Sequence, residues 1–255
     1  MIHTIFAVLV ITSGLIIAVE PEIIIEDVLP DLHLCSTIHW YKEKCIKNSI
    51  ISMKEYLNRG VPDLKIQKFE PYQAENLEII LVNNFEGSMT FSNTTMKDLT
   101  NFLVENVELS TNLDQFKFDI YFPLITMAST YTIVGKTLET SMKKTYRISG
   151  DLIDITANIT IYGNFFWRKE DGEKFFRVNH VSTKLNVGDI KIDLKDTIKD
   201  KILPQYRIYY AKHLLKEAEP DILYKIERIA SSTILDIANK IYLTFPIGKL
   251  MPVLC

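Results

Sequence analysis

Residues 221–243 read DILYKIERIASSTILDIANKIYL. At ~100° per residue, Ile222, Leu223, Ile226, Ile229, Ala230, Thr233, Ile234, Ile237 and Ile241 fall within roughly 140° of arc. Asp221, Lys225, Arg228, Ser231, Ser232, Asp236 and Asn239 occupy the opposite side, where Tyr224, Leu235 and Tyr242 add a thinner apolar line. Pro220 stands where a first helical residue needs no N–H, and Pro246 closes the segment. The pattern predicts an amphipathic helix of about six turns. Its isoleucines are poor helix formers, so it needs a large apolar partner surface to be stable.

The chain upstream supplies that surface as strands. Leu77–Val82 is a short apolar run, and Phe116 to Phe122 alternates strictly, as a half-buried strand does. Thr130 to Leu138 reads as another strand, with Gly135 inside it. Thr145 to Tyr162 is the longest, and alternation puts Ile153, Ile155, Ala157, Ile159 and Ile161 on one face. Asp171-Gly172 marks a turn between Trp167 and Phe175. Phe175 to Leu194 returns as a strand whose phase changes at Gly188-Asp189, the mark of a bulge. Helical spacing occupies residues 36–58, where Gly60 caps and Pro62 forbids continuation, and it resumes after Pro204. Helix, long antiparallel strands, helix is an α+β order without βαβ units. A strongly bent sheet wrapped around the helices buries both apolar surfaces and leaves space between them.

The 255 residues are 47% hydrophobic and 24% charged, enough for a substantial core, and no linker divides them. A net charge of −3 argues against a nucleic-acid partner. Residues 5–19 are almost wholly apolar, yet short for a membrane span. Ile16 and Ala18 fit the −3 and −1 positions of a cleavage site, so residues 1–18 read as a signal peptide and 19–255 as a single secreted domain without stable membrane insertion. An uncleaved anchor or a buried N-terminal helix is the alternative. In an oxidising compartment Cys35 and Cys45 are expected to form a disulfide rather than two buried thiols, leaving Cys255 over. Two sequons are present, at Asn93 in a polar, loop-like stretch and at Asn158 on the outer face of a strand.

Catalytic signatures are missing from the sequence. It has no Gly-x-Ser-x-Gly, phosphate-binding loop, His-Glu-x-x-His or Cys-x-x-Cys. Ser141-Met142-Lys143-Lys144 has the Ser-x-x-Lys form, which recurs by chance, and the histidines are scattered. The expectation is a non-enzyme with neither metal nor cofactor. Thirteen Phe and twelve Tyr are spread through the strands, as core or as the wall of an apolar cavity.

Several segments together resemble the takeout / juvenile hormone-binding proteins of insects. They are Leu29-Pro30 before Cys35 and Cys45, Gly60-Val61-Pro62-Asp63-Leu64, Phe69-Glu70-Pro71, Phe122-Pro123 followed by Tyr131 and Gly135, and Phe245-Pro246 to Leu250-Met251-Pro252. The resemblance implies a long curved antiparallel sheet around a long C-terminal helix, enclosing a hydrophobic tunnel. It also implies a carrier of the insect haemolymph type for a juvenile hormone-like terpenoid or a fatty-acyl lipid, with members linked to biological rhythms. The single cysteine pair matches the takeout-like pattern, and the family's usual Leu-Phe-Asn-Gly segment is absent from Asp196 to Leu215. The expected tunnel wall is Phe116, Phe118, Ile120, Phe122, Tyr131, Ile133, Ile153, Ile155 and Ile159 from the strands, with Ile226, Ile229 and Ile237 from the helix. The competing expectation is an extracellular protein–protein module with a filled core, acting on a receptor or another secreted protein.

Overall fold

The computed structural model describes residues 24–35, 42–81, 86–137, 140–196 and 204–252. The expected leader at residues 1–18, and Cys255, lie outside the described residues. The elements are α1 (Ile25–Val28), α2 (Lys42–Arg59), β1 (Tyr72–Ala74), β2 (Leu77–Leu81), β3 (Glu86–Lys97), β4 (Leu103–Leu109), β5 (Gln115–Thr137), β6 (Thr140–Trp167), β7 (Lys174–Asp196), α3 (Pro204–Glu217), α4 (Glu219–Tyr242) and α5 (Ile247–Leu250). The expected helix at the C-terminal end is α4, with Pro220 in its first turn. Gly60 ends α2 with φ of 80°, its N–H bonded to the Tyr56 carbonyl at 2.7 Å. A side chain there would collide with the Ile66 carbonyl at 2.9 Å.

All strand pairing is antiparallel, in the order β1-β3-β5-β6-β7. β3 and β4 share one edge of β5, and β2 lies beside β1 on β3. The two strands expected at 116–122 and 130–138 are one 23-residue strand, β5. Pro123 is the apparent stop, but it falls between the paired rows Phe122↔Ile155 and Leu124↔Ile153, where neither edge of β5 has a paired position that needs its missing N–H. Opposite it, Asp154 has φ of 53°. Beside Asp154 lies Gly188, where a Cβ would come within 2.9 Å of the Asp154 Cβ. The inward-facing residues step from Phe122 to Ile125, from Ile155 to Leu152 and from Val187 to Ile190. Alternation therefore slips in three adjacent strands along one line. The phase change at Gly188 is one end of this crease. A separate register shift sits at Tyr162/Gly163, where Asn179 is the extra residue in β7.

The helices close the open edges of the sheet. α4 runs along β7 and supplies side chains where a further strand would supply backbone. Asn239 accepts from the Val178 N–H and donates to the Val178 carbonyl, both at 2.9 Å. Ser231 Oγ accepts the Thr183 N–H at 3.0 Å, and Glu227 accepts the Leu185 N–H at 3.0 Å while pairing with Lys184. Across the sheet, Lys225 of α4 donates to the Glu78 carbonyl of β2. α2 does the same along β4, with Lys47 donating to the Glu105 carbonyl of the strand and Lys54 to the carbonyl of Phe102 just before it. An unpaired edge invites association with another chain; here several edge groups are occupied.

Packed clusters sit at both ends of α4. Near its start, Ala218 of the α3–α4 junction joins Leu214, Leu215, Met89, Tyr131, Ile133 and Tyr146. Near its end, Ile237 and Ile241 pack with Ile25, Leu29, Tyr56, Phe245 and Leu250. At ~1.5 Å per residue the 24 residues of α4 span roughly 36 Å between them.

Asn239→Leu leaves both polar groups of Val178 without their partners. Urea unfolding should show a loss of about 2 kcal/mol. Burial pushes the Glu227 carboxyl up, but the Leu185 N–H and the Lys184 ammonium outweigh it and hold the group below the usual glutamate range. A depressed carboxylate stabilises above its unfolded value and loses that contribution as pH falls through the folded value. Glu227→Gln should therefore melt below wild type at neutral pH. The gap should close on acidification from about pH 4.3 downward, as calorimetry across a pH series would read.

Candidate functional site

Between the two packed ends lies a cavity of about 1120 Å³. That is larger than the ~300–1000 Å³ of ordinary small-molecule sites. Its floor is α4. All nine residues of the helix's apolar stripe, from Ile222 to Ile241, border it. None of the described residues of α4 is buried; the stripe borders the cavity along its length, while Ile222, Ile234, Ile237 and Ile241 also touch neighbouring packed clusters. The sheet supplies the curved wall, and α2 adds Ile46, Ile50, Met53 and Leu57.

Of the expected wall residues, Phe116, Phe118, Ile120 and Phe122 of β5 line this cavity, as do Ile155 and Ile159 of β6. Ile226, Ile229 and Ile237 of α4 line it as well. Three expected positions do not. Tyr131 and Ile133 are fully buried in the packed cluster near the start of α4, Tyr131 stacked on Phe91 at 5.2 Å between ring centroids. Ile153 is displaced by the slip at Asp154, and Leu152 takes the inward place. Simple alternation through residues 153–161 therefore misassigns one residue. The stripe of α2 is legible as helical spacing, but its place opposite β4 requires the tertiary structure.

Polar groups in the lining are few and mostly engaged. Thr94 and Ser129 share a buried hydroxyl–hydroxyl hydrogen bond at 2.7 Å. Cys35 borders the cavity and is joined to Cys45, with Cα atoms 5.7 Å apart, fastening the segment before α2 to that helix. His33 lies beside both sulfurs, but disulfide sulfurs are not thiolate ligands, so the three make no metal site. Lys212, Lys216 and Glu219 border the cavity near the α3–α4 junction. Asn93 is exposed, but it sits inside β3 at a bulge with φ of 51°, not in a loop. Asn158 is exposed on the outer face and donates to Asp119 at 2.7 Å.

The model of the haemolymph juvenile hormone binding protein (JHBP) family matches residues 8–252. The chain belongs to that family. Among solved structures, Takeout 1 of Epiphyas postvittana is similar with a TM-score of 0.61 and 14% identity, over 87% of this chain and 100% of that one. A lipopolysaccharide binding protein also matches, with a TM-score of 0.39 and 9% identity, over 78% of this chain and 37% of that one. No curated protein matches in sequence. The fold, a long curved antiparallel sheet around a C-terminal helix, is thus the JHBP-family carrier fold, at an identity where only architecture is shared. No helix among the described residues is long and apolar enough to cross a membrane.

A lined cavity and a packed core respond differently to added volume. Ile226→Trp, which points bulk into the JHBP-type cavity, should change unfolding stability by less than about 1 kcal/mol. Ile133→Trp, in the close-packed cluster, should cost at least about 2 kcal/mol. Parallel urea titrations compare the two.

Proposed function

We propose that this protein is a secreted, non-catalytic carrier that binds one long apolar molecule, a terpenoid or fatty-acyl lipid, along α4. The observation that supports this most directly is the helix itself. Twenty-four residues with a continuous isoleucine stripe have no buried member, and the stripe borders a cavity whose lining is overwhelmingly apolar. Such a surface is unfavourable in water and favourable against a hydrocarbon. Each methylene transferred contributes ~0.8 kcal/mol, so a chain of about ten reaches ~8 kcal/mol, near micromolar affinity before ordering costs. Phe116, Phe118, Ile120, Phe122, Ile155, Ile159, Ile226, Ile229 and Ile237 are the proposed contact wall.

Secretion fits the same reading. The Cys35–Cys45 disulfide belongs to an oxidising compartment, and both sequon asparagines are exposed where a glycan has room. Cleavage after Ala18 would release residues 19–255. The function is binding, as in its family, and the chemistry of the cavity is desolvation rather than bond breaking.

Native mass spectrometry of protein secreted from insect cells tests the proposal. The expected result is a discrete extra mass that organic extraction releases as a lipid. Ile229→Asp should abolish that mass while the variant still melts cooperatively, because Ile229 is already 41% exposed. A bare chain that also refuses fatty acids and terpenoids would sink the carrier reading and favour a protein–protein role.

A further inference from the structure

α4 is fastened unequally along its two sides. On the β7 side Glu227, Ser231 and Asn239 lace it to the strand at short intervals. On the side of β1 and β2, among the described residues, it is fastened by hydrogen bonds at two points. Lys225 donates to the Glu78 carbonyl, and Lys240 donates to the Lys65 carbonyl at 2.9 Å. Between those two lysines the helix rises roughly 22 Å, at ~1.5 Å per residue. The chain from Lys65 to Glu78 therefore runs alongside that stretch of helix. No hydrogen bond or ion pair joins residues 66–77 to residues 226–239, although all of them are described. Apolar packing closes the two ends, where Ile222 and Leu77 share one cluster and Ile237 and Ile66 share another. A slot is left between.

Water reaches the cavity lining at this slot. Ile229 borders the cavity and is 41% exposed, the one large apolar lining residue so exposed among those described. On the facing chain Glu75 is exposed and also borders the cavity. A second group of exposed lining residues, Gly188, Asp189, Lys212 and Lys216, lies at the β7 crease and on α3. Three of those four are charged, and an apolar chain passing among them would strip water from the charges, which is costly. Ile229 offers an apolar sill instead, with a single carboxylate at the outer lip.

We propose that the bound molecule enters and leaves sideways, through the slot between α4 and residues 66–77, and that the bond from Lys225 to Glu78 is the clasp that sets how often the slot opens. This rests on the carrier reading above. Both lysine bonds are exposed, so water competes for them. Lys240 is also paired with Asp236 at 2.6 Å, whereas Lys225 makes no ion pair, so Lys225 is the weaker of the two. The facing chain is lightly held as well. β1 is three residues long and pairs with β3 alone. Segments with few ordered backbone bonds open at the lowest cost. Releasing Lys225 lets this segment part from the middle of α4 while the β7 lacing and both packed ends stay in place.

Stopped-flow kinetics with a fluorescent fatty-acyl probe tests this. Entry and exit share one path, so a change confined to the opening multiplies both rate constants equally and leaves Kd where it was. Lys225 does not border the cavity, and Lys225→Met keeps its length while removing the clasp. Association and dissociation should both quicken by about threefold to tenfold, the worth of one exposed hydrogen bond from a charged group, at constant Kd. Glu75→Trp, which puts bulk at the lip of the slot, should slow both. Rates in Lys225→Met equal to those of wild type would overturn this inference while the carrier reading stands. So would faster dissociation alone with a raised Kd, or rates that respond to Lys216→Met at the other group and not to Lys225→Met. Failure of wild type to bind the probe would overturn both.

Discussion

An open sheet must do something with the hydrogen-bonding groups on its outer strands, and the solution adopted here organises the molecule. β7, β2 and β4 are not joined to one another as in a closed barrel. Side chains of α4 and α2 reach their backbone groups instead. Asn239 is the fullest case, since a carboxamide reproduces the donor and acceptor of a peptide group and so mimics a neighbouring strand for one residue. Because α4 is held at β7 by its polar line, its isoleucine stripe is turned toward the concave side of the sheet. The space between stripe and wall follows from that placement.

The same helix thus has two unlike faces with separate duties. Glu227, Ser231 and Asn239 set its position, while Ile226, Ile229, Thr233 and Ile237 set the chemistry of the cavity. Substitutions on the second face are freer than in a close-packed core, because a neighbouring side chain need not move to admit them. A family sharing this architecture at 14% identity can therefore change what lines the cavity without changing how the sheet is closed.

Much of this was legible in the sequence. The 3.6-residue period of 221–243 and the two-residue period of the strands each had a strong local cause, and both survive in α4, β6 and β7. The harder features were those in which neighbours override a local signal. Pro123 reads as a strand end, yet β5 runs through it because the proline meets a row where the ladder is already interrupted by Asp154. Tyr131 and Ile133 alternate as correctly as Phe118 does, but α3 packs near them and converts wall into core. Ile153 was misplaced because a positive φ at an aspartate carries no periodic signature. The disulfide was readable once secretion was inferred, whereas the bond from Lys225 to a carbonyl 147 residues earlier was not.

The crease at Pro123, Asp154 and Gly188 also limits how the chain can change length. On one side of it the cavity-facing residues of β5 carry even numbers and on the other side odd, and β6 and β7 switch parity at the same level. Adding or deleting one residue there would restore uniform alternation in the altered strand. It would also put that strand out of step with its neighbours, turning its apolar row outward over half its length. Length variation in this part of the sheet is therefore a property of three strands together, and single-residue insertions are better accommodated at the hairpin turn around Gly172, where no neighbour shares the register.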